Sequence, residues 1–501
     1  MTKVRLNDAA RSFLAVERPF LVGEEWRRGA GAPPMSIVNP SSGDVIAHAS
    51  QATERDVDDA VRAARAAFES RAWRRMPPSE RTRLLWKLSE LVESNADELL
   101  HLEVANQGLP ISVAREFVIP GVIETFRYYA GWCTKLTGMT SHVSLPDQRP
   151  AGAIGAAYHA YTSYEPIGVV GAIIPWNFPL IMAAAKLAPA LAAGCAVVLK
   201  PADETPLSAL RLAELVLEAG FPVGVVNVIA GAGRIVGAAL AAHPDVDKIA
   251  FTGSTEVGRS IARTAAADMK KVGLELGGKS PVIVFADANI EAAIKGAGEA
   301  IFLNTGQVCF AGSRLLVERS CLDRVLDGVA AIAKSMRLGS ADDDETEMGP
   351  LISAKQKARV LDFFEKPDPQ ISIIAGGRSA GDRGYFVEPT VALATSAEAR
   401  LMREEVFGPV LSVIGFDSVE EAAALANQTE YGLAAGVWTN DLRKAHNLAD
   451  EIRAGTVWVN CHNALDEAMT FGGYKQSGWG REGSRAGVEA YMESKSVVMA
   501  V

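Results

Sequence analysis

Residues 168–200 read GVVGAIIPWNFPLIMAAAKLAPALAAGCAVVLK, and this stretch decides the fold class. A β-rich apolar run, GVVGAII, precedes a longer segment of helix formers, PLIMAAAKLAPALAAG, and a second β-rich run, AVVLK, comes after it. This alternation of strand, helix and strand is typical of a parallel sheet with helices on both faces. Ligands of such sheets bind at the carboxyl ends of the strands. The alternation continues downstream through SALRLAELVLEAG, VVNVI, GRIVGAALAAH and KIAFTG.

A second series of the same kind begins at Pro281 (PVIVF) and continues to about Gly473. The two glycines in residues 276–279 separate the series, so we place a domain boundary there. Domains usually contain about 100–200 residues, so a chain of 501 residues is expected to have two or three.

The N-terminal third is predicted to be mostly helical. Thr53 can cap a helix over residues 53–69 together with Asp56, and apolar residues recur at helical spacing behind it. Two further helices are predicted over residues 79–100 and 113–134. The alternating small and aromatic residues 151–162 are typical of an exposed ribbon.

Composition excludes several classes of protein. The chain has 50 basic and 60 acidic residues and a net charge of -10, which argues against a nucleic-acid partner. Its five cysteines form no CxxC pair, which indicates a reducing compartment and no zinc site. Residues 1–20 lack the apolar core of a secretory signal, and prolines and Lys186 interrupt the apolar stretch 167–199. We therefore expect a cytoplasmic protein with no metal and no membrane partner.

Two glycine-rich turns compete for a phosphate site. One contains Gly231, Gly233 and Gly237, and the other contains Gly253 and Gly258. Either turn could direct backbone N–H groups and a helix N-terminus at a pyrophosphate. Neither matches the GxGxxG fingerprint, so each could equally be an ordinary loop.

Three residues are candidates for chemistry. Cys309 (NTGQVCFAGSR) is either a nucleophile or a small buried apolar residue. Glu275 (LELGGKSP) ends an apolar strand, and is either a general base of raised pKa or a capping residue. Asn177 lies between Pro175 and Pro179, and is either an oxyanion donor or a turn asparagine.

Residues 377–381 (GRSAG) also satisfy the GxSxG pattern of a hydrolase nucleophile elbow. The elbow needs a helix after the serine, whereas the next residues, YFVEPTV, favour a strand. We therefore interpret this match as a polar surface turn.

Taken together, these segments closely resemble the aldehyde dehydrogenase superfamily over nearly the whole chain. The motifs that carry the resemblance are PWNFP (175–179), KPADETP (200–206), FTGSTEVG (251–258), LELGGKSP (274–281), NTGQVCFAGSR (304–314), EEVFGPV (404–410) and FGGYKQSGWGRE (471–482). The resemblance implies an α/β fold with a five-stranded Rossmann-like domain for NAD(P) in residues 1–143 and 166–277. It also implies a catalytic domain in residues 278–480 and a β-ribbon for oligomerisation in residues 144–165 and 481–501. Relatives of this length are commonly homotetramers.

The resemblance also implies roles for the catalytic residues. Cys309 would attack the aldehyde to give a thiohemiacetal, whose oxyanion the Asn177 amide and the Cys309 N–H would hold. Loss of hydride to the nicotinamide would leave a thioester, and Glu275 would activate the water that hydrolyses it. Lys186 and Glu482 match positions proposed to carry the proton to solvent.

For the cofactor, the resemblance implies Ser254 at the phosphates, Lys200 and Asp203 at the adenosine ribose, and Glu405 at the nicotinamide ribose. We favour NAD because an acidic side chain repels a 2′-phosphate, but Arg234 leaves NADP open. The other residues expected around the cofactor are Ile174, Trp176, Gly233, Gly253, Gly258, Leu276, Gln356 and Phe407.

The expected substrate pocket is almost wholly apolar, which favours a hydrophobic and aromatic aldehyde. Ala185 lies where many relatives have tryptophan, and this leaves room for a bulky group. The segment 460–482 resembles that of bacterial phenylacetaldehyde dehydrogenases, although Thr470 replaces their usual proline. The expected lining residues are Phe178, Ile181, Met182, Ala185, Leu303, Val308, Phe310, Asn463, Leu465 and Phe471.

Other activities remain open at this stage. Aliphatic or other aldehydes could be the substrate within the same family. A CoA-dependent relative would transfer the thioester to CoA, but that branch often lacks the glutamate found here at 275. A cysteine or serine hydrolase without a redox role, or a non-catalytic relative, would form no NADH.

Overall fold

The computed structural model describes residues 5–29, 33–366 and 368–501. Its first large sheet has eight strands, of which five neighbouring ones run parallel. Every residue of the strand Val169–Ile173 is buried, as expected for an apolar strand covered on both faces. The predicted parallel sheet is therefore confirmed. In spatial order its strands are Gly478–Trp479, Lys271–Glu275, Lys248–Thr252, Val169–Ile173, Ala196–Lys200, Val226–Val228, Phe20–Val22 and Glu25–Arg27.

The order of these strands creates a crevice. The first of the five parallel strands in the chain, Val169–Ile173, lies in the middle of the sheet. The next one, Ala196–Lys200, pairs with one side of it, and Lys248–Thr252 later pairs with the other side. Ligands of open α/β sheets bind where the strand order reverses, at the carboxyl ends of the strands. Asn177 comes after the central strand, and Glu275 ends the strand next to Lys248–Thr252.

The second large sheet has seven strands, of which six run parallel and one edge strand is antiparallel. Residues 276–280 connect Lys271–Glu275 of the first sheet directly to Pro281–Val284 of the second. In spatial order its strands are Ile371–Ala375, Thr390–Ala394, Val410–Phe416, Arg314–Glu318, Pro281–Val284, Ala434–Trp438 and Thr456–Val459.

Two small sheets complete the β-structure. Tyr158–Pro166 pairs antiparallel along its whole length with Met492–Ala500 and, at one end, with Thr140–Ser141. The ribbon predicted over residues 151–162 is correct from Tyr158 onward and wrong before it, because Gly152 and Gly155 adopt positive φ and interrupt an extended backbone. The other small sheet pairs Met35–Val38 with Val45–Ala49.

The predicted N-terminal helices are present with one correction. Glu54–Glu69 is capped by Thr53, which forms a reciprocal capping box with Asp56. The helix predicted over residues 79–100 is two helices, because Asn95 leaves the helical conformation and its side-chain oxygen accepts a hydrogen bond from Arg211. These two helices are Pro78–Ser94 and Ala96–Gln107. The helix predicted over residues 113–134 begins earlier, as Ile111–Val113, and contains the π-helical turn Ala114–Val118 before Ile119–Trp132.

The helix Pro179–Ala193 covers the first sheet and is buried over most of its length, including Lys186. No helix in the described ranges is long and apolar enough to cross a membrane. The remaining helices and helical turns are Asp8–Leu14, Arg71–Arg74, Leu207–Ala219, Gly233–Gly237, Ala238–Ala242, Thr255–Ala266, Ile290–Phe302, Leu303–Gly306, Arg319–Cys321, Leu322–Ser335, Ala354–Glu365, Arg400–Arg403, Val419–Asn427, Leu442–Glu451, Lys475–Ser477 and Ser484–Glu489.

The GRSAG segment is a surface turn, as its polar neighbours indicated. Ser379 is exposed and forms an isolated β-bridge with Val387. The next regular element is the strand Thr390–Ala394, so the serine is not succeeded by the helix that a nucleophile elbow requires.

Candidate active site

Cys309 comes directly after a left-handed turn. Asn304 and Thr305 have φ values of 48° and 58°, a conformation that costs a non-glycine residue about 1–2 kcal/mol. Side chains hold the turn: Thr305 Oγ1 donates to the Gly349 carbonyl at 3.0 Å, and Gln307 Nε2 donates to the Asn304 carbonyl at 3.2 Å. The backbone that leads to Cys309 is therefore held by side-chain hydrogen bonds of Thr305 and Gln307.

The Cys309 thiol is partly buried at the junction between the two large sheets. Its backbone carbonyl packs on Gly278, where an added Cβ would lie 2.4 Å from the oxygen. Burial, together with the nearby carboxylates of Glu275 and Glu405, raises the pKa of the Cys309 thiol to about 12. Such a thiol is protonated near neutral pH, so it needs a base before it can act as a nucleophile.

Glu275 lies near this thiol and is itself buried, with 5% exposure. Burial raises the pKa of its carboxyl well above the usual value; the Glu482 carboxylate raises it further, and Lys186 opposes the rise. Its Oε2 has no hydrogen-bond partner among the described residues. Its Oε1 lies against Gly472, where an added Cβ would be 3.0 Å away. A carboxylate in this setting can accept a proton near neutral pH.

Asn177 is held by two hydrogen bonds. Its Nδ2 donates to the Gln307 carbonyl at 3.0 Å, and its own carbonyl accepts from Asn304 Nδ2 at 2.8 Å. The first bond uses one of the two amide hydrogens, so the other can donate to a developing oxyanion. The structure thus joins Asn177 to the segment that carries Cys309.

Lys186 and Glu482 form an ion pair behind the base. The Lys186 side chain is fully buried, whereas that of Glu482 retains 23% exposure. Glu482 is fixed by two backbone hydrogen bonds with Phe471, each 2.7 Å. Both charges influence the pKa of Glu275, and one of them, the Glu482 carboxylate, is partly exposed.

The adenosine-site candidates come together at the ends of two strands. Lys200 Nζ donates to Asp203 Oδ1 at 2.6 Å, and the Gly233 N–H donates to Asp203 Oδ2 at 3.1 Å. Ile174 is buried, and its N–H donates to the Lys200 carbonyl at 3.1 Å. This arrangement fixes the carboxylate of Asp203, and Arg234 is exposed next to Gly233.

The two glycine-rich turns lead into different elements. Gly233–Gly237 is a short π-helical turn, whereas Ser254 caps the regular twelve-residue helix Thr255–Ala266. Added Cβ atoms at Gly253 and Gly258 would lie 2.5 Å from Phe251 and 2.4 Å from Leu276. Packing against these buried side chains therefore requires glycine at both positions. The N-terminus of the helix Thr255–Ala266 is the feature that suits phosphate groups.

The nicotinamide-site candidates form a second group. Glu405 Oε1 accepts from the Gly278 N–H at 2.9 Å, and burial raises the pKa of Glu405 to about 7. Phe407 has a φ of 57°, and its ring meets Trp176 edge to face at 5.3 Å. Gln356 Nε2 donates to the Phe407 carbonyl at 2.8 Å, and so holds this strained residue.

Comparison with known proteins identifies the arrangement. The sequence model of the aldehyde dehydrogenase family matches residues 26–497. The chain belongs to the aldehyde dehydrogenase family. The phenylacetaldehyde dehydrogenase of Pseudomonas fluorescens is 46% identical over 97% of this chain and 97% of that protein. The human retinal dehydrogenase 2 is 44% identical over 96% of this chain and 92% of its own.

A solved structure supports the same assignment at the level of the fold. The NAD⁺ complex of an aldehyde dehydrogenase from Bacillus cereus has a TM-score of 0.95, with 46% identity and full coverage of both chains. The resemblance inferred from the sequence motifs is therefore confirmed, and this aldehyde dehydrogenase is an oxidoreductase.

The predicted pocket residues lie around two aromatic groups. The Phe310 ring meets Trp458 and Phe471 edge to face, each at 5.9 Å, and Phe178 meets Phe117 in the same way at 6.1 Å. Val308 is buried, whereas Leu465 is 39% exposed and lies toward the surface. Asn463 Nδ2 donates to the Glu299 carbonyl, which ties this loop to a helix. Ile181, Met182, Ala185 and Leu303 are partly buried.

Sequence reasoning missed the residues that hold these groups. Asn304 and Gln307 fix Asn177, and both lie in a quoted motif, but nothing in the motif showed that their bonds go to Asn177. Trp458 and Phe117 contact the rings of the candidate residues Phe310 and Phe178, and neither was predicted. Their partners are distant in sequence, so only the folded chain identifies these contacts.

Proposed function

We propose that this aldehyde dehydrogenase oxidises hydrophobic, aromatic aldehydes such as phenylacetaldehyde to carboxylic acids with NAD. The observation that carries the proposal is the convergence of Cys309, Glu275 and Asn177 at the strand ends, beside the aromatic group Phe310, Trp458 and Phe471. A thiol, a base and an amide donor are the groups that acyl-transfer chemistry on an aldehyde requires.

The first half of the reaction uses all three residues. Glu275 takes the proton of the Cys309 thiol, whose high pKa makes a base necessary. The sulfur then adds to the aldehyde carbon, and the free amide hydrogen of Asn177 donates to the oxyanion with the Cys309 backbone N–H. The product of this half is the thiohemiacetal anion, bound to the Cys309 sulfur.

The cofactor supplies a hydride acceptor, so that collapse of this anion leaves a thioester on Cys309. The residues that would hold it are the Asp203 carboxylate, the helix N-terminus at Ser254, and Glu405. The N-terminus of the helix Thr255–Ala266 supports binding of phosphate groups.

The second half releases the acid. Glu275, whose Oε2 is free of partners within the described chain, accepts a proton from the water that attacks the thioester. That proton leaves toward Lys186 and the partly exposed Glu482. The overall change consumes the aldehyde, NAD⁺ and water, and yields the carboxylate, NADH and two protons.

The geometry around Asp203 favours NAD over NADP. Lys200 and the Gly233 N–H both bind this carboxylate, so Lys200 is neutralised by a fixed anion and is not free for a 2′-phosphate. A carboxylate accepts a hydrogen bond from a ribose 2′-hydroxyl and repels a phosphate at the same place.

Relatives of nearly equal identity are named for phenylacetaldehyde and for retinal, so identity does not choose the aldehyde. The pocket supports an aromatic one, because edge-to-face pairs around Phe310 offer ring surfaces to a planar substrate. Ala185 leaves space on the opposite helix.

We also propose a cytoplasmic homotetramer with the domain ranges given above. The long pair formed by Tyr158–Pro166 and Met492–Ala500 bears exposed Tyr161, Val498 and Met499, which supports a role in subunit contact. The five unpaired cysteines support a reducing compartment.

The test measures the absorbance of NADH or NADPH formed from phenylacetaldehyde or aliphatic aldehydes, with NAD or NADP as the cofactor. We expect the highest kcat/KM with phenylacetaldehyde and NAD, and no NADH from the Cys309→Ala variant with its melting temperature unchanged. Ester cleavage without NADH would instead indicate a hydrolase, and acyl-CoA as the product would indicate the CoA-dependent reaction.

A further inference from the structure

The last turn of the helix Ala96–Gln107 carries three polar side chains that are almost fully buried. Glu103, Asn106 and Gln107 are each 1–2% exposed. Burial of a polar group is unfavourable unless hydrogen bonds compensate it, so the partners of these groups indicate what they do. No residue of this helix was among the site candidates, yet each side chain bonds to a segment that carries one of them.

Gln107 is linked to Asn177 through Asn304. Gln107 Nε2 donates to Asn304 Oδ1 at 2.9 Å, and Asn304 Nδ2 donates to the Asn177 carbonyl at 2.8 Å. Gln107 Oε1 has no partner in the part of the chain that the structure describes. The bond to Asn304 is therefore the one polar contact of this buried side chain among the described residues.

This bond acts together with the two backbone carbonyls that accept from Nδ2 to set which way the Asn304 amide faces. The terminal torsion of asparagine is broad, so packing alone does not fix its oxygen and nitrogen. Because Oδ1 accepts from Gln107, Nδ2 is directed at the Asn177 carbonyl and, at 3.4 Å, at the Gln307 carbonyl. The same Gln307 carbonyl accepts the Asn177 side-chain amide.

The same helix holds the other side of Asn177. Glu103 Oε1 accepts from the Leu180 N–H at 3.1 Å, in the first turn of the helix Pro179–Ala193. Asn106 binds elsewhere, since its Nδ2 donates to the Glu204 carbonyl beside Asp203 at 2.7 Å.

We propose that Gln107 is a positioning residue for the oxyanion-binding amide of Asn177 and acts through Asn304. The inference rests on the proposed function of Asn177. It extends that function to a helix that does not contact the reacting atoms.

The experiment compares two reactions of Cys309 in the full-length protein without cofactor. In acylation by p-nitrophenyl acetate, the sulfur bonds to the acyl carbon through an oxyanion, and p-nitrophenolate leaves. In alkylation by iodoacetamide, the sulfur displaces iodide and no oxyanion forms. The ratio of the two rates therefore reports oxyanion stabilisation separately from thiol reactivity.

The test variant is Gln107→Leu, which keeps the volume and removes the donor. We expect the acylation rate to fall about 10- to 100-fold, since loss of an oxyanion donor itself costs about 10²–10³. Alkylation should stay within about twofold of the wild-type rate, because it forms no oxyanion. If Gln107→Leu does not fold, Gln107→Met serves the same purpose with a longer, flexible side chain.

The matched control is Asn39→Ala. Asn39 is 2% exposed and donates to the Ala105 carbonyl of the same helix, and among the described residues its side chain bonds to neither Asn304 nor Asn177. We expect its melting temperature to fall and its ratio of acylation to alkylation to remain that of the wild type.

Equal acylation rates in Gln107→Leu and wild type, or a parallel fall of both reactions, would overturn the positioning role. NADH formation by the wild type is measured in the same preparations. A further outcome is that the wild type forms no NADH while the ratio of acylation to alkylation still falls in Gln107→Leu. In that case the proposed function fails and the positioning role stands. A wild type that forms NADH but is not acylated would overturn the positioning role and leave the proposed function standing.

Discussion

Lys186 and Glu482 form an ion pair although 296 positions separate them in the sequence. Lys186 is fully buried, and a buried ammonium is costly unless an opposite charge compensates it. The two charges act on the pKa of Glu275 in opposite directions: Glu482 raises it and Lys186 lowers it.

Because these two charges have opposite effects on the pKa of Glu275, removing each one should shift the pH dependence of activity in opposite directions. Lys186→Met removes a charge that lowers the pKa of Glu275, and Glu482→Gln removes one that raises it. Glu275 acts as a base only when deprotonated, so the rising limb of kcat against pH should move to higher pH in the first variant and to lower pH in the second. Steady-state NADH formation between about pH 5 and about pH 10 measures both. Shifts in the same direction would contradict this account of Glu275.

Glu275→Gln should slow both halves of the reaction. No base would then take the proton of the Cys309 thiol or that of the attacking water. We expect NADH formation to fall about 10²- to 10⁴-fold, with no fast burst before the steady rate. Stopped-flow absorbance follows the first turnover, and Cys309→Ala, which cannot form the thioester, provides the baseline. A variant with normal steady turnover would exclude Glu275 as the base.

Asn177→Ala should lower kcat by about 10²–10³ through loss of an oxyanion donor. The Asn177 side chain is not among the residues expected to hold the cofactor, so the Kd for NAD, measured by fluorescence quenching, should change little. A large rise in Kd with an unchanged kcat would assign Asn177 to binding.

Asp203→Asn should relax the choice of cofactor. The substitution keeps the shape, removes the charge that repels a 2′-phosphate, and frees Lys200 from its partner. We expect the NADP to NAD ratio of kcat/KM to rise about tenfold or more. Glu204→Gln, which changes the neighbouring exposed carboxylate, is the control and should change the ratio less.

Ala185→Trp should test the space assigned to the aromatic aldehyde. An indole at this position would fill that space, so kcat/KM should fall about 10- to 100-fold for phenylacetaldehyde and much less for acetaldehyde. Equal losses for both aldehydes would show that Ala185 does not determine substrate size.

Sequence patterns predicted the helices and strands that depend on residues close together in the sequence. The periodicity of residues 168–253 predicted the parallel strands, and Thr53 with Asp56 predicted a capped helix. The break at Asn95 escaped prediction because its side chain bonds to Arg211, which is distant in sequence. The strand Gly478–Trp479 was missed for a similar reason, since it exists through pairing with Lys271–Glu275.

The candidate site also contains residues that the sequence indicates and features that depend on contacts between distant segments. Residues in quoted motifs, such as Cys309 and Asn177, were identified because their chemistry is visible in the sequence. The left-handed conformation of Asn304 and Thr305 was not, because threonine rarely adopts it, asparagine adopts it only in some contexts, and tertiary hydrogen bonds hold it here. Gln107 lies in no motif, and only its contact in the folded chain shows its connection to Asn177.

The C-terminal segment has a mechanical consequence. Phe471, proposed for the substrate pocket, is hydrogen-bonded through its backbone to Glu482, and the strand Met492–Ala500 begins ten positions after Glu482. A displacement of that strand would therefore act, over ten residues, on the residues proposed for proton exit and for substrate contact. If another subunit docks on this strand, we expect it to restrict the motion of Glu482 and Phe471 without contacting them.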